Sequence, residues 1–353
     1  MTSYYQNRLP AEWEAQQAVM LTWPHGHGDW APWLAQVEPV FVEIAHQIAL
    51  RQGLIISCYD AAHERHIRTL LAQKGINSAA LATYIVPSND SWVRDHGPIT
   101  VLRSGVPQLL DFTFNGWGGK FDSSLDDRIT RALHAQGAFG NTPLEPIDLV
   151  LEGGSIEVDG AGTLLTTTQC LLSPQRNPQL DRRQIELKLR ELFGIKRVLW
   201  LEHGHLAGDD TDSHIDTLAR FCNSSTIAYV ACDDPDDEHY ADLQAMQTEL
   251  QGFRTAQGNP YQLVPLPWPQ AKYDATGQRL PASYANFLIT NGAVLAPTYA
   301  DPSDAAALAC LQRCFPQHQI IGVPCLPLIM QYGSLHCVTM QLPANQPGVH
   351  VRP

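Results

Sequence analysis

Residues 152–169 read "EGGSIEVDGAGTLLTTTQ", two short β-rich runs that meet at Asp159-Gly160. Asp-Gly and Asn-Gly between alternating apolar runs are the strongest short-range signals of a β-hairpin. Comparable breaks between β-rich runs occur at Ser104-Gly105, near Asn223 and at Asn291-Gly292, and residues 331–343 form a late strand-like run. The chain is therefore predicted to contain five hairpin-or-strand units.

Helical patterns lie between these units. They cover residues 62–75, 123–137, 177–194, 236–255 and 301–316. The third carries an apolar stripe through Ile185, Leu189 and Leu192, spaced as on one helix face. The last begins with "DPSD", a typical N-terminal cap. Strands and helices in this alternation predict an α/β fold.

A polar residue stands at the head of each unit. These residues are Asp95, Glu152, His214, Asn286 and Cys337. Similar units recurring every 50 to 70 residues or so predict a closed array that brings one residue from each unit to a common centre, as in a propeller. Residues 1–353 would then form one domain. An ordinary α+β fold with coincidental spacing is the alternative.

The composition limits the classes of partner. The 353 residues carry a formal net charge of −13, whereas nucleic acids and anionic membranes attract proteins with a surplus of Lys and Arg. A small cationic ligand fits this balance better. No signal-peptide pattern opens the chain, and no stretch approaches the ~18 apolar residues of a membrane span. A cytoplasmic protein is expected, with its eight irregularly spaced cysteines reduced.

The most acidic motif is residues 208–221, "GDDTDSHIDTLARF". If its second half is a strand, His214 and Asp216 point to the same face and enter one site together. Burial of such a carboxylate is costly without a partner. For Asp209, Asp210 and Asp212, an exposed and solvated loop is the simpler interpretation.

Three further motifs carry reactive groups. In "NDSWVRDHGP", Asp95 is predicted at the end of a strand, with Trp92 beside it. Two glycines follow Glu152 and leave room for close approach of a ligand. Cys337 follows a glycine on the predicted late strand. The alternatives are an exposed Glu at a glycine bulge and a Cys that only fills the core.

A thiol, an imidazole and three carboxylates together suit chemistry on a guanidinium group. Carboxylates bind its N–H groups bidentately, at roughly 1.5–3 kcal/mol per charged hydrogen bond. A thiolate can then attack the central carbon, and a histidine can protonate the departing ammonia and afterwards activate water. The bound cation would also favour the thiolate.

Long motifs in the same order resemble the agmatine deiminases and the related bacterial-type peptidylarginine deiminases. They are "LTWPHGHGDW", "WVRDHGP", "LEGGSIEVDGAGTLLTTTQCLLSPQRNP", "GDDTDSHIDTLARF", "ANFLITNGAVLAPTY" and "GSLHCVTMQ". The resemblance implies the pentein fold, a five-bladed α/β propeller of ββαβ-type units, with no metal or cofactor. The final motif departs from the family, because "YGSLHC" replaces the triple-glycine run before "NIHC" of many agmatine deiminases.

The resemblance also implies residue roles. Cys337 would be the nucleophile and His214 the acid and base, through a covalent S-amidino intermediate. Asp95 and Asp216 would clamp the guanidinium, and Glu152 would contact both the guanidinium and His214.

The substrate follows from charge. No basic residue adjoins these motifs to pair with the carboxylate of free arginine, so agmatine is expected. Asp210 or Asp212 would attract its ammonium, and Trp92 would pack on its methylene stem or face the ammonium. Deimination of arginine or C-terminal peptidylarginine is the nearest alternative, and self-association into a homo-oligomer is left open.

Three other classes compete. A manganese ureohydrolase also carries His-x-Asp in an acidic strand end, and it would yield urea instead of ammonia. A non-catalytic pentein-like binding protein would use the acidic mouth only to capture cations. A Cys-His protease fits poorly, because three carboxylates suit a cation better than a neutral amide.

Overall fold

The computed structural model describes residues 7–344. Its strands are β1 (Asn7–Arg8), β2 (Gln16–Thr22), β3 (Gly53–Cys58), β4 (Leu81–Ile85), β5 (Ile99–Arg103), β6 (Val106–Thr113), β7 (Leu144–Val150), β8 (Glu157–Val158), β9 (Thr163–Thr167), β10 (Arg197–Leu201), β11 (Ala219–Asn223), β12 (Thr226–Val230), β13 (Gln262–Leu266), β14 (Lys272–Tyr273), β15 (Arg279–Leu280), β16 (Leu288–Thr290), β17 (Ala293–Thr298), β18 (Gln319–Pro324) and β19 (Met340–Pro343). Its α-helices are α1 (Leu34–Ala49), α2 (Ala61–Gln73), α3 (Val93–His96), α4 (Gly116–Gly119), α5 (Ile129–Ala135), α6 (Thr168–Leu171), α7 (Arg182–Phe193), α8 (Tyr240–Gly252), α9 (Asp304–Cys314) and α10 (Leu326–Ile329).

One connection pattern occurs five times. An antiparallel strand pair is followed by a helix and then by a strand parallel to the second member of the pair. The four internal repeats are β5-β6-α5-β7, β8-β9-α7-β10, β11-β12-α8-β13 and β16-β17-α9-β18. The fifth joins distant parts of the chain, because β19 pairs antiparallel with β2, and β3 lies parallel to β2 after α1. The fold is thus mixed α/β, and the predicted ββαβ units are present.

Two predicted hairpin turns are confirmed in detail. Thr290 pairs with Ala293 across Asn291-Gly292, and Arg103 pairs with Val106 across Ser104-Gly105. In the second turn both central residues have positive φ, 53° and 83°. Left-handed backbone at both positions is the type I′ geometry, which matches the twist of the two strands.

Helix α7 shows why its segment is helical. Asp181 and Gln184 form a reciprocal capping box at the start, and Gly194 ends the helix in the left-handed conformation, φ 69°. Ile185 and Leu189 are buried as predicted, but the third buried residue is Phe193, because Leu192 is only partly covered.

Four residues predicted on strands lie elsewhere. Asp95 is in the short helix α3. His214 directly precedes the 3-10 turn Ile215–Thr217, and Asp216 lies within that turn. Cys337 lies in a turn before β19. A strand's amides are used by the neighbouring strand, whereas a turn leaves N–H groups that point at a buried carboxylate.

The functional candidates therefore share a position in the repeat. Each lies in the connection just before the first strand of its unit: Asp95 before β5, Glu152 before β8, His214 and Asp216 before β11, Asn286 before β16, and Cys337 before β19. Corresponding positions in repeated units are expected to meet in space.

The interior is apolar and extensive. The largest cluster of buried side chains includes Trp23, Phe41, Phe221, Phe287 and Leu335, drawn from distant parts of the chain. Within residues 7–344, no helix is both long enough and apolar enough to cross a bilayer.

Candidate active site

A cleft of about 400 Å³ contains several of the predicted residues. Its lining includes Cys337, Asp95, Trp92 and Asp210, together with Trp117 and Tyr332. Two more acidic residues, Asp29 and Asp90, also line it, and no Lys, Arg or His is among the described lining residues. A pocket with aromatic walls, four carboxyl groups and one thiol favours a cationic ligand.

Gly154 is the point at which three of the predicted groups converge. A Cβ atom added there would lie 2.5 Å from His214 Nδ1, 2.9 Å from Asp95 Oδ1 and 3.2 Å from Asp216 Oδ2. Only a residue without a side chain leaves room for this approach. The second glycine after Glu152 thus has the role that its position in the sequence predicted.

Asp95 is held in a fixed orientation. Its Oδ1 accepts a hydrogen bond from Gly154 N at 3.0 Å, and its Oδ2 accepts one from Trp117 Nε1 at 3.0 Å. Burial, aided by nearby carboxylates such as Asp216, raises the pKa of Asp95 to about 6 against the opposing effect of His214. The carboxylate is ionised at neutral pH and ready to receive a cation.

His214 is buried beside that carboxylate. Its Nδ1 lies 3.6 Å from Asp95 Oδ1, and its Nε2 has no hydrogen-bond partner within residues 7–344. Burial alone would lower the pKa of His214, but Asp95 and Cys170 raise it well above the ordinary value. The imidazole is therefore protonated at neutral pH and can donate a proton.

Asp216 is fully buried and uses one oxygen for the protein. Its Oδ2 accepts a hydrogen bond from His336 Nδ1 at 2.7 Å, whereas Oδ1 has no partner in the described part of the chain. Burial raises the pKa of Asp216, but the bond and the charge of His336, together with the charges of His214 and Arg220, outweigh burial and lower the pKa. Oδ1 of Asp216 is therefore a buried, ionised oxygen that receives no hydrogen bond from the described residues.

The side-chain oxygen of Asn286 contacts both Cys337 and the residue that precedes it. Asn286 Oδ1 lies 3.5 Å from its Sγ and accepts a bond from His336 N at 2.8 Å. Burial together with Asp216 and Asp95 raises the pKa of the thiol well above its ordinary value. A cation bound between the thiol and these carboxylates would remove the electrostatic part of that shift.

Two of the predicted carboxylates pair with basic side chains of the protein. Glu152, fully buried, directs both carboxylate oxygens at Arg176 Nε, each at 2.9 Å, so it is occupied by a protein cation. Asp212 pairs with Arg176 NH1 at 2.6 Å and with Lys120 Nζ at 2.7 Å. The charge of Asp212 is therefore already paired, and two basic residues, Arg176 and Lys120, lie beside the predicted motifs in the folded protein. Sequence spacing gave no sign of these pairs, because their members are distant along the chain.

The two other predicted substrate contacts line the cleft. Trp92 packs against Trp30, with ring centroids 5.5 Å apart, and against Gly333, where an added Cβ would lie 2.2 Å from the Trp92 ring. Asp210 is half-buried, and Lys120 Nζ donates to its backbone carbonyl. Burial and Asp209 raise the pKa of Asp210 to about 7.

One group among residues 7–344 has metal-ligand spacing. Glu152, Cys170 and His214 each offer a ligand atom, all within 4.8 Å of one another. Both Glu152 oxygens already face the Arg176 guanidinium, and a thiol with a single carboxylate is not the hard-ligand set of a dinuclear manganese site. This donor set does not support the ureohydrolase alternative.

Sequence reasoning missed four residues of the site. Asn286 was recognised only as the head of a unit, and Arg176, His336 and Trp117 had no predicted role. Two signals were available. His336 is adjacent to the thiol, and Trp117 stands among glycines in residues 115–119, where it adopts a positive φ of 55°.

Known proteins resemble the chain along nearly its whole length. The agmatine deiminase of Stutzerimonas stutzeri (strain A1501) is 35% identical over 365 residues, which cover 95% of each chain. A C. jejuni agmatine deiminase solved with substrate bound is 37% identical, with a TM-score of 0.89 over 96% of this chain and 97% of that one. A Porphyromonas gingivalis structure provisionally named an arginine deiminase is 51% identical, with a TM-score of 0.90 over 96% and 99%.

The family model agrees with these likenesses. It is described as the Porphyromonas-type peptidyl-arginine deiminase and matches residues 8–343. The match spans every unit of the fold and every residue of the cleft described above. The chain belongs to the Porphyromonas-type peptidyl-arginine deiminase family.

Proposed function

We propose that this protein hydrolyses agmatine to N-carbamoylputrescine and ammonia through a covalent S-amidino-cysteine intermediate. The observation that carries the proposal is the convergence of His214, Asp95 and Asp216 on Gly154, beside a cleft that Asp95 shares with Cys337. A flat cation between the carboxylates and the thiol would use the unpaired Asp216 oxygen and the charge of Asp95.

The first half-reaction forms the C–S bond. The guanidinium cation offsets the carboxylates that hold the Cys337 pKa high, so substrate binding promotes loss of the thiol proton. The thiolate attacks the central carbon, and the protonated His214 gives its proton to the departing nitrogen. Ammonia leaves, and the amidino group stays on sulfur.

The second half-reaction breaks that bond. Neutral His214 takes a proton from water, and the resulting hydroxide attacks the amidino carbon. The C–S bond then cleaves with its electron pair on sulfur, and the protonated ureido product gives its extra proton back to the thiolate. The proton that the thiol released to solvent in the first half-reaction converts the ammonia to ammonium. The sum is one water consumed and one C–N bond exchanged for C–O, without oxidation or reduction.

Agmatine is the proposed substrate because the lining of the cleft is acidic. Beyond Asp95, its described lining offers Asp29, Asp90 and Asp210 and no basic side chain. An ammonium group suits this lining, whereas the carboxylate of arginine would meet like charge. Asp210 lines the cleft and remains the residue proposed to bind the ammonium. Asp212 already pairs with Arg176 and Lys120, so it is not assigned this role.

Arginine or peptidylarginine is the second candidate. Lys120 lies within 2.5 Å of the Asp210 carbonyl and could face a carboxylate if Asp212 released it. The identity of 51% to a structure provisionally named an arginine deiminase also supports this candidate. Direct comparison of the substrates separates the two.

We also propose that the sheets of the five repeats close into one five-bladed pentein propeller and that residues 1–353 act as one catalytic domain. The five ββαβ repeats and the pairing of β19 with β2 support a ring. A cytoplasmic location and self-association stay predictions.

The test is an assay of purified protein on agmatine, arginine and a C-terminal arginyl peptide. Ammonia with N-carbamoylputrescine is expected from agmatine, and acid-quenched protein should carry an amidino group on the peptide that contains Cys337. Cys337→Ala should lose at least about a thousandfold in rate while staying folded. Cys58→Ala, at another buried thiol, should keep the rate. Urea as product, or a full rate for Cys337→Ala, contradicts the mechanism.

A further inference from the structure

A second cavity lies behind the active-site segments. Its polar lining is Glu12, Arg94, Thr100, Glu157, His336 and Gln341. Arg94 and His336 are the chain neighbours of Asp95 and Cys337, which line the active cleft instead. The two cavities share no lining residue, so they are back to back across these two segments.

Arg94 is a buried cation with few partners. Its side chain is 4% exposed, yet among residues 7–344 Nε reaches only the His336 carbonyl at 3.4 Å and Nη1 only Met340 Sδ at 3.7 Å. NH2 has no hydrogen-bond partner among residues 7–344, and the nearest carboxylate oxygen, on Glu12, is 4.0 Å away. Burial of a guanidinium in this state is unfavourable unless something else accepts its hydrogens.

The carboxylates of the cavity are already satisfied. Glu12 Oε2 accepts from Arg220 NH2 and from His336 Nε2, each at 2.8 Å, and its Oε1 accepts from Ile289 N at 2.7 Å. Glu157 receives Arg220 Nε at 2.8 Å and a backbone N–H at 2.9 Å. A cation would find no unused carboxylate oxygen here.

Unused donors dominate the cavity instead. The Thr100 hydroxyl, buried, joins Arg94 NH2 in having no partner within the described chain. Gln341 Oε1 is also unpartnered, and a half-turn of that amide presents its NH2 group in the same place. The lining is thus arranged for a group that accepts hydrogen bonds.

We propose that this cavity binds a small monovalent anion of about the size of chloride. Arg94 supplies the charge, Thr100 donates a hydrogen bond, and Leu9, Ile99 and Ile156 form apolar walls. Both glutamates are hydrogen-bonded to Arg220, whereas the nearest carboxylate oxygen to Arg94, on Glu12, is 4.0 Å away. A divalent anion would bring excess charge close to those glutamates.

The site adjoins the reactive segment. Arg94 N donates to the Cys337 carbonyl at 3.1 Å, so an anion on Arg94 would brace the backbone that carries the thiol. The proposed anion site is present in the protein without substrate, so anion binding does not depend on the proposed reaction.

Thermal unfolding of the full chain tests it. Sodium chloride is titrated against sodium gluconate at constant ionic strength, because gluconate is an organic anion much larger than chloride. A saturable rise in Tm specific to chloride is expected, about 2 °C at tenfold excess over the dissociation constant. Thr100→Val should weaken the apparent chloride affinity about fivefold, the loss of one hydrogen bond.

Thr22→Val is the matched control. Thr22 Oγ1 is likewise buried without a partner in the described chain, but it does not line this cavity. Its chloride response should equal that of the wild type. Crystals grown in bromide should show an anomalous peak within hydrogen-bonding distance of Arg94. Equal Tm in chloride and gluconate, an unchanged response in Thr100→Val, or bromide bound only elsewhere would each overturn the proposal and leave water as the occupant.

Discussion

His336 Nδ1 lies 2.7 Å from Asp216 Oδ2, so the residue beside the thiol holds a carboxylate of the site. The other ring nitrogen, Nε2, lies 2.8 Å from Glu12 Oε2. A neutral imidazole has one N–H, so both contacts are hydrogen bonds only if the three groups share a second proton. Burial, Arg220 and Arg94 lower the pKa of His336, whereas Glu12 and Asp216 act in the opposite direction. The two short contacts are both satisfied when a second proton is shared between the imidazole and a facing carboxylate.

This relationship predicts different effects for two amide substitutions. In His336→Asn the amide nitrogen can replace Nδ1 and keep the bond to Asp216, whereas in His336→Gln it can replace only Nε2 and keep the bond to Glu12. We expect kcat/KM for agmatine to stay within about tenfold in the first and to fall about a hundredfold, mainly through KM, in the second. Similar losses of Tm in both variants would serve as the control. Equal activity would show that the Asp216 bond does not position the carboxylate.

The pH profile of kcat/KM should have an acidic limb near pH 6. Asp95 must be ionised to bind a guanidinium, and burial raises its pKa to about 6 in the free protein, so activity is lost as pH falls through that value. Trp117→Phe removes a hydrogen bond that favours the ionised form, so the limb should move up by roughly half a unit to one unit. Trp268→Phe, which removes a similar bond to Asp237, should leave the limb in place.

Gly154→Ala should inactivate the protein without unfolding it. The added Cβ would lie 2.5 Å from His214 Nδ1, so the imidazole and Asp95 must move apart. A displacement of about 1 Å in a catalytic group costs on the order of a hundredfold in rate, and steady-state ammonia release would measure it. Gly26→Ala is the control, because an added Cβ there meets no atom within 4 Å. Full activity in Gly154→Ala would refute the convergence of these groups in the working site.

Asp210→Asn should discriminate between substrates. At pH 8 the carboxylate is ionised, since its pKa is raised to about 7, and its loss should raise KM for agmatine about tenfold. Butylguanidine has the same guanidinium and chain but no ammonium, so its KM should not change. An equal rise in both KM values would assign Asp210 to the guanidinium end or to the fold.

Local sequence was sufficient for the repeating elements. The turns at Ser104-Gly105 and Asn291-Gly292 and the helix around Ile185 and Leu189 follow from short-range chemistry, and each is present in the structure. Helix α1 was not predicted, because Pro39 interrupts its pattern while tertiary burial of residues such as Phe41 maintains it. The motifs also led to the family, and Cys337 and Asp95, two of the predicted reactive residues, line one cleft.

The partners of each charge were decided only by the tertiary structure. Asp212 and Glu152 looked available for a substrate, but Arg176 neutralises both from 24 or more positions away in the chain. Glu12 reaches His336 across 324 positions. A buried charge is stabilised by whichever donor the fold brings within about 3 Å, and that choice depends on distance in space, which the order of residues does not encode locally. The sequence by itself determined which chemical groups the protein possesses, and folding determined which of them are still free to act.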